Sequence, residues 1–134
     1  MYGFDYHRPA ALSDVVDLLT GDEDAKLLAG GQTLIPTLKQ RLAMPTALVD
    51  LSAVPGLRDI VAEGDGVRIG AMATHATVAG SALVRGVLPG LADLASHIGD
   101  AQVRNRGTIG GSIANADPAA DYPAALVAPD AVIR

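Results

Sequence analysis

A short apolar run, Lys26-Leu27-Leu28-Ala29, stops on Gly30-Gly31, and a helical pattern begins two residues later at Thr33. A run this short between turn signals reads as a buried strand, and a strand that turns at once into a helix needs a further strand to return to. The helical segment carries Pro36 in its first turn and Leu34, Leu38 and Leu42 at four-residue spacing, and Pro45 ends it. Ala47-Leu48-Val49-Asp50-Leu51 then reads as the next strand. Strand, Gly-rich turn, helix, strand is a βαβ unit, whose crossover is right-handed and brings two strands together in parallel. Upstream, Ser13 reads as an N-cap with Asp14 in the first turn. Val15, Leu18 and Leu19 share one helical face, and Gly21 closes the helix.

The pattern changes after residue 54. Leu57 to Ala62 and Val67 to Met72 flank Glu63-Gly64-Asp65-Gly66, a hairpin signal. Thr74 and Thr77 open a helix expected to run to about Val87. Pro89 starts another, with Leu91, Leu94, Ala95 and Ile98 as its apolar stripe. Two loops follow, Gln102 to Ser112 and Ala114 to Pro123, and the last apolar run is Ala131-Val132-Ile133, which reads as an interrupted strand. The expected division is one subdomain over residues 1–54 and a second over 55–134, the second incomplete at its C-terminal end.

Composition narrows what such a chain can do. Its 134 residues are 49% hydrophobic but only 3% aromatic, without Trp, so the core must be built from Ala, Val, Leu and Ile. The absence of Cys excludes disulfides, thiolate metal sites, Cys nucleophiles and Cys-ligated iron–sulfur clusters within this chain. A net charge of −5 is opposite in sign to a nucleic-acid-binding footprint. The N-terminal MYGFDYHRP has no basic region followed by an apolar run, and no stretch reaches the roughly 18 consecutive apolar residues of a membrane span. The expectation is a soluble, cytoplasmic protein with no nucleic-acid partner.

Familiar catalytic patterns are missing. Gly64 and Gly66 start a dinucleotide fingerprint, but Ile69 stands where its third glycine belongs. No Gly-Lys-Ser/Thr occurs, and Ser112 lies in Gly-Gly-Ser-Ile-Ala rather than in a nucleophile elbow. His7, His75 and His97 are scattered without carboxylates at ligand spacing, so no metal site and no catalytic side chain is assigned. Two Gly-Gly segments remain. Ala29-Gly30-Gly31-Gln32-Thr33-Leu34 lies where a strand meets a helix, and glycines there let a phosphate approach free backbone N–H groups. Gln102 to Ser112 offers Arg104, Arg106, backbone amides and the Thr108 hydroxyl, the donors a diphosphate needs. Either segment alone reads more readily as a tight turn with solvent-facing side chains; together they suit a large dinucleotide, which requires two separate backbone cradles. A Cβ branch at Gly110 or Gly111 is then expected to fill space that the pyrophosphate requires. Asp121 could accept hydrogen bonds from sugar hydroxyls or simply stabilise its own turn.

Three strings carry a family resemblance: AGGQTLIP (29–36), IGAMATHA (69–76) and, above all, QVRNRGTIGGSIANADPAADYP (102–123). In order and register they resemble the FAD-binding medium subunit of the molybdenum hydroxylases, the carbon monoxide dehydrogenase and xanthine dehydrogenase group, across essentially the whole chain. The resemblance implies an α+β, two-subdomain FAD-binding fold shared with vanillyl-alcohol oxidase and the cell-wall enolpyruvyl reductases, with a small βαβ subdomain and a larger mixed-sheet one. It implies cofactor contacts from Lys26, Leu27, Ala29, Gly30, Gly31, Gln32, Thr33 and Leu34 on the first loop. On the second it implies contacts from Thr108, Ile109, Gly110, Gly111 and Ser112, with Ile98 and Val103 beside the cofactor and Asp121 on ribityl or ribose hydroxyls. Several relatives carry Asn at the position of Ser112, a change that leaves the backbone contacts of Gly110 and Gly111 untouched. Family subunits are about twice as long, with a C-terminal domain that helps to cover the flavin ring.

The resemblance further implies an oxidoreductase subunit that works with others. Substrate is oxidised at a molybdenum–pterin centre in a large partner subunit, and electrons pass through [2Fe–2S] clusters of a small partner subunit to FAD. They leave to an external acceptor: NAD, a quinone or oxygen. Such a protein holds its cofactor and leaves the redox chemistry to it. Two other readings stay open at this point, a nucleotide-binding module that passes no electrons and a stand-alone flavin reductase.

Overall fold

Ala47–Asp50 forms the strand, β3, around which the first half of the chain is built; the computed structural model describes all residues 1–134. β1 (Asp5–His7) lies on one side of it and β2 (Lys26–Leu28) on the other, so the sheet order is β1-β3-β2 and every pairing is parallel. Helix α1 (Leu12–Gly21) connects β1 to β2, and α2 (Leu34–Lys39) connects β2 to β3. As the central strand of a sheet covered on both faces, β3 is the most apolar, and Ala47, Leu48 and Val49 are all buried. Val49 packs with Val15 of α1, Ala25 and Val54 into one core, against which Leu18, Leu19, Leu51 and Leu57 also rest. Leu48 points to the opposite face by strand alternation, and Leu38 of α2 is likewise fully buried.

The structure adds β1 to the elements expected from sequence and moves a cap. Ala11, not Ser13, is the N-cap of α1; Ser13 sits inside the first turn with its hydroxyl toward Asp14.

The second half is mostly helical. Its sheet is the hairpin β4 (Ile60–Glu63) and β5 (Gly66–Ile69), rather than the mixed sheet expected over these residues. Gly64 has φ +63° at the first central position of the two-residue turn, as a type II′ hairpin requires. Five helices follow with short joints: α3 (His75–Gly80), α4 (Ala82–Val87), α5 (Pro89–His97), α6 (Ala101–Arg106) and α7 (Ile109–Asn115); α8 (Tyr122–Val127) completes the set. The single helix expected from Thr74 to Val87 is two, because the Ser81 hydroxyl accepts from Val84 N–H and starts a new helix. The stretch expected to be a loop, 102–112, is mostly α6 and the start of α7. The Asp100 carboxylate and the Thr108 hydroxyl are their caps, accepting from Val103 N–H and Gly111 N–H. Ala131-Val132-Ile133 forms no strand and is exposed.

Ala73, Val78, Val84, Leu91, Ala92, Ala95, Ile109 and Tyr122 make the second core. Small side chains dominate it, which lets short helices approach closely, and Tyr122 is the one large ring at its centre.

Candidate cofactor site

Parallel strands present their carboxyl ends to one side of a sheet, and open α/β sheets bind ligands there. Here β2 ends at Leu28 and runs into Ala29-Gly30-Gly31, while β3 ends beside Leu51. Both ends face a cleft of about 920 Å³, near the upper end of the roughly 300–1,000 Å³ typical of small-ligand sites. Its opposite wall is built by Ala71, Met72 and His75, by Gly107, Thr108 and Gly110 to Ser112, and by Ala114, Asn115, Asp117, Ala119 and Ala120.

The two Gly-rich segments meet at the bottom. A Cβ on Gly30 would lie 2.2 Å from the Arg106 carbonyl oxygen and 2.8 Å from Gly107 Cα, so only glycine allows these backbones to touch. Gly31 has φ +73°, the left-handed conformation that turns the chain out of β2 and into α2. The N–H groups of Gly30, Gly31, Gln32, Thr33 and Leu34 consequently donate to no protein acceptor. Five successive free amides beside a cleft suit an anionic or oxygen-rich ligand. Lys26 adds a cation on the same wall.

The second segment does a different job. Ile109 N–H donates to the Ala73 carbonyl, Gly110 N–H to Ala71, Gly111 N–H to the Thr108 hydroxyl and Ser112 N–H to the Thr108 carbonyl. None of these amides is spare, so the segment is a braced wall rather than a second amide cradle. The brace explains the IGAMATHA string. Residues 70–75 run between two neighbours, with Gly70 and Met72 N–H donating to Asp59 and Leu57 on one side, and His75 N–H to Gly107 on the other. A Cβ on Gly110 would strike Ala71, 2.6 Å from its Cβ, and one on Gly111 would lie 2.8 Å from Thr108 Oγ1. These glycines are required by the protein's own packing, and the expectation that their Cβ positions belong to the pyrophosphate is corrected.

The arginines are also corrected. The Arg104 guanidinium donates to the Ile98 and Gly99 carbonyls at the end of α5, and neither Arg104 nor Arg106 lines the cleft. Of the residues singled out above, Lys26, Leu27, Ala29, Gly30, Gly31, Gln32, Thr33, Leu34, Val103, Thr108, Gly110, Gly111 and Ser112 are brought together on the cleft wall. Three lie off it. Ile109 is in the second core, Ile98 packs against that core, and Asp121 is exposed at the start of α8 with no side-chain cap bond. Asp117 instead reaches the wall, its carboxylate accepting from Ala119 N–H in an Asx turn.

His75 and Asn115 line the cleft too and were not foreseen. His75 is buried, and its Nδ1 is 3.0 Å from the Tyr122 hydroxyl. Burial lowers the His75 pKa against the opposing pull of Asp121, and burial followed by Asp121 raises that of Tyr122. The pair is therefore neutral near pH 7.

A cradle of free amides, a nearby cation and a cleft of this volume fit a dinucleotide. The comparisons agree. Residues 2–134 match the family model described as "FAD binding domain in molybdopterin dehydrogenase". The chain is 46% identical to the nicotine 6-hydroxylase medium subunit of Paenarthrobacter nicotinovorans, over 96% of this chain and 46% of that subunit. It is 47% identical to the carbon monoxide dehydrogenase medium chain of Hydrogenophaga pseudoflava, over 96% and 45% respectively. Among solved structures, a carbon monoxide dehydrogenase from Hydrogenophaga pseudoflava superposes with a TM-score of 0.90 at 48% identity, covering 92% of this chain and 43% of that one. Quinoline 2-oxidoreductase from Pseudomonas putida 86 gives 0.89 at 41%, covering 91% and 43%. The chain thus spans about half the length of the curated relatives it matches. With these matches and this cleft, the chain belongs to the family of FAD-binding domains of molybdopterin dehydrogenases, and FAD is the cofactor its α+β fold serves.

Proposed function

We propose that this chain is the FAD-binding part of the medium subunit of a molybdenum-containing hydroxylase or dehydrogenase. In that role it relays electrons from [2Fe–2S] clusters of a small partner subunit, through FAD, to an external acceptor. The observation that carries the reading is the run of free amides from Gly30 to Leu34 at the carboxyl end of a parallel sheet, facing a second wall that the protein itself braces. Residues 1–54 and 55–134 are the two lobes of the site. The amides of the first lobe, with Lys26, hold the phosphates and ribityl chain; Val103, Thr108 and Gly110 to Ser112 close the other side. Ser112 lines the cleft beside them.

When bound, FAD supplies the redox chemistry, and the chain's contribution is binding, orientation and electrostatics. No Cys is present, so cluster-ligating thiolates belong to a partner. Names such as medium subunit and medium chain among the relatives support partners of this kind, with the molybdenum centre in a large subunit. NAD, a quinone and oxygen are the candidate acceptors.

The test is reconstitution of the FAD-loaded protein with a molybdenum–pterin large subunit and a [2Fe–2S] small subunit of the same complex. Flavin absorbance that bleaches on addition of the complex's substrate and returns with one of the three acceptors supports the relay. Flavin that stays oxidised in the assembled complex, while free dithionite reduces it, overturns the relay and leaves a nucleotide-binding module.

A further inference from the structure

His75 is only 5% exposed, yet it lines the cleft. Its Nδ1 pairs with the hydroxyl of Tyr122, a residue that is fully buried and has no other hydrogen-bond partner for that hydroxyl. A buried phenol that stays protonated has one proton to place, so its O–H donates and Nδ1 accepts. The proton of the neutral imidazole then sits on Nε2. Nε2 has no acceptor within the protein and is not fully buried, and His75 lines the cleft. It faces Gly107, where a Cβ would approach it to 2.6 Å, and Gly107 is the residue against which Gly30 packs. The Nε2–H donor therefore stands beside the seam at which the row of free amides begins.

We propose that His75 is a further ligand-contacting residue of the cleft: its Nε2–H donates to an oxygen of the phosphate–ribityl stretch of bound FAD, and Tyr122 is the positioning residue that fixes its tautomer. The inference rests on the FAD-binding reading above. Other groups around the ring do not compete for this donor. Asp121 precedes Tyr122 on α8 and favours the protonated ring, but burial outweighs it. Arg104 of α6 is turned to the Ile98 and Gly99 carbonyls, and Arg106 is exposed and off the cleft. Thr108, beside the bridge to Thr74, uses its hydroxyl to cap α7.

The amide variants separate the two ring nitrogens. Glutamine can place an N–H where Nε2 stands; asparagine reaches only as far as Nδ1. In FAD titrations followed by flavin fluorescence, His75→Asn is expected to weaken binding about 10- to 100-fold, the loss of one donor to a charged oxygen. His75→Gln should return affinity to within about fivefold of wild type, because the donor is restored. Tyr122→Phe leaves the ring in place and frees its tautomer, and should cost about 3- to 10-fold. Imidazole ¹⁵N spectra of the free wild-type protein should show protonated Nε2 and bare Nδ1, with a mixture in Tyr122→Phe. FAD should move the Nε2–H resonance in the wild type, a readout that needs no variant to fold. Wild-type FAD binding with an unmoved Nε2–H signal, or with an unchanged affinity in His75→Asn, overturns the contact alone. A folded wild-type protein that binds no FAD overturns the functional reading and the contact together.

Discussion

Replacing Gly30 by alanine tests the seam on which the cleft depends. The added Cβ would sit 2.2 Å from the Arg106 carbonyl oxygen, 2.8 Å from Gly107 Cα and 2.9 Å from the Arg106 carbonyl carbon. All three are backbone atoms, so no side chain can swing aside, and the two segments must part by about 1 Å to reach ordinary contact. Overpacking of this kind costs about 1–3 kcal/mol, and rigid partners put it at the upper end. Loss of the glycine's freedom in the unfolded chain offsets about 0.4–1 kcal/mol. The net destabilisation is about 2 kcal/mol, which lowers Tm by about 7 °C at roughly 2.1 cal/mol/K per residue for a chain of this length. The same displacement misaligns the free amides, so FAD affinity should fall at least about tenfold. Gly86→Ala is the control. It lies inside α4 with nothing within 4 Å of its Cβ position, and should raise Tm by about 2–3 °C. Thermal melts and FAD titrations of both variants decide the matter. A Gly30→Ala protein that melts within 2 °C of wild type and keeps its FAD affinity, taking about 2 °C as the margin of such melts, would refute the seam.

Thr108→Ala removes the buried hydroxyl that caps α7 through Gly111 N–H, and should cost about 1 kcal/mol in urea unfolding. Lys26→Gln should weaken FAD binding severalfold and flatten its salt dependence, measured by titration at low and high ionic strength, because Lys26 is the cation on the amide wall. His75 has a folded-state pKa below its usual 6.5, so the unfolded chain takes up the proton first as pH falls. Stability from this group is complete above that value and declines as pH drops below it. His75→Gln should flatten the decline in denaturation midpoints between about pH 7 and pH 5.

Much of the first lobe was legible because its signals are local. The break at Gly30-Gly31 marks the end of β2, and Pro45 marks the end of the segment before β3. β1 escaped notice because three residues carry no periodicity and its existence depends on pairing with a strand some forty residues later. In the second lobe, glycine density at 102–112 hid two short helices whose caps, Asp100 and Thr108, were readable as such. The direction of a side chain is not local information. Arg104 looked like a phosphate ligand and instead satisfies the carbonyls that end α5. His75 looked isolated because Tyr122, its partner, lies 47 positions away. The family resemblance supplied what periodicity could not, including the cofactor, but it did not distinguish the amide-donating loop from the braced one.

The central claim is that the free amides of Gly30 to Leu34 and the braced wall opposite form an FAD site. Titration of the purified protein with FAD, followed by quenching of flavin fluorescence and checked against circular dichroism for folding, tests it directly. The account predicts saturable binding of one FAD per chain at about 1 μM or tighter, equivalent to about 8 kcal/mol. A folded protein that leaves flavin fluorescence unchanged at FAD concentrations of about 100 μM would contradict it.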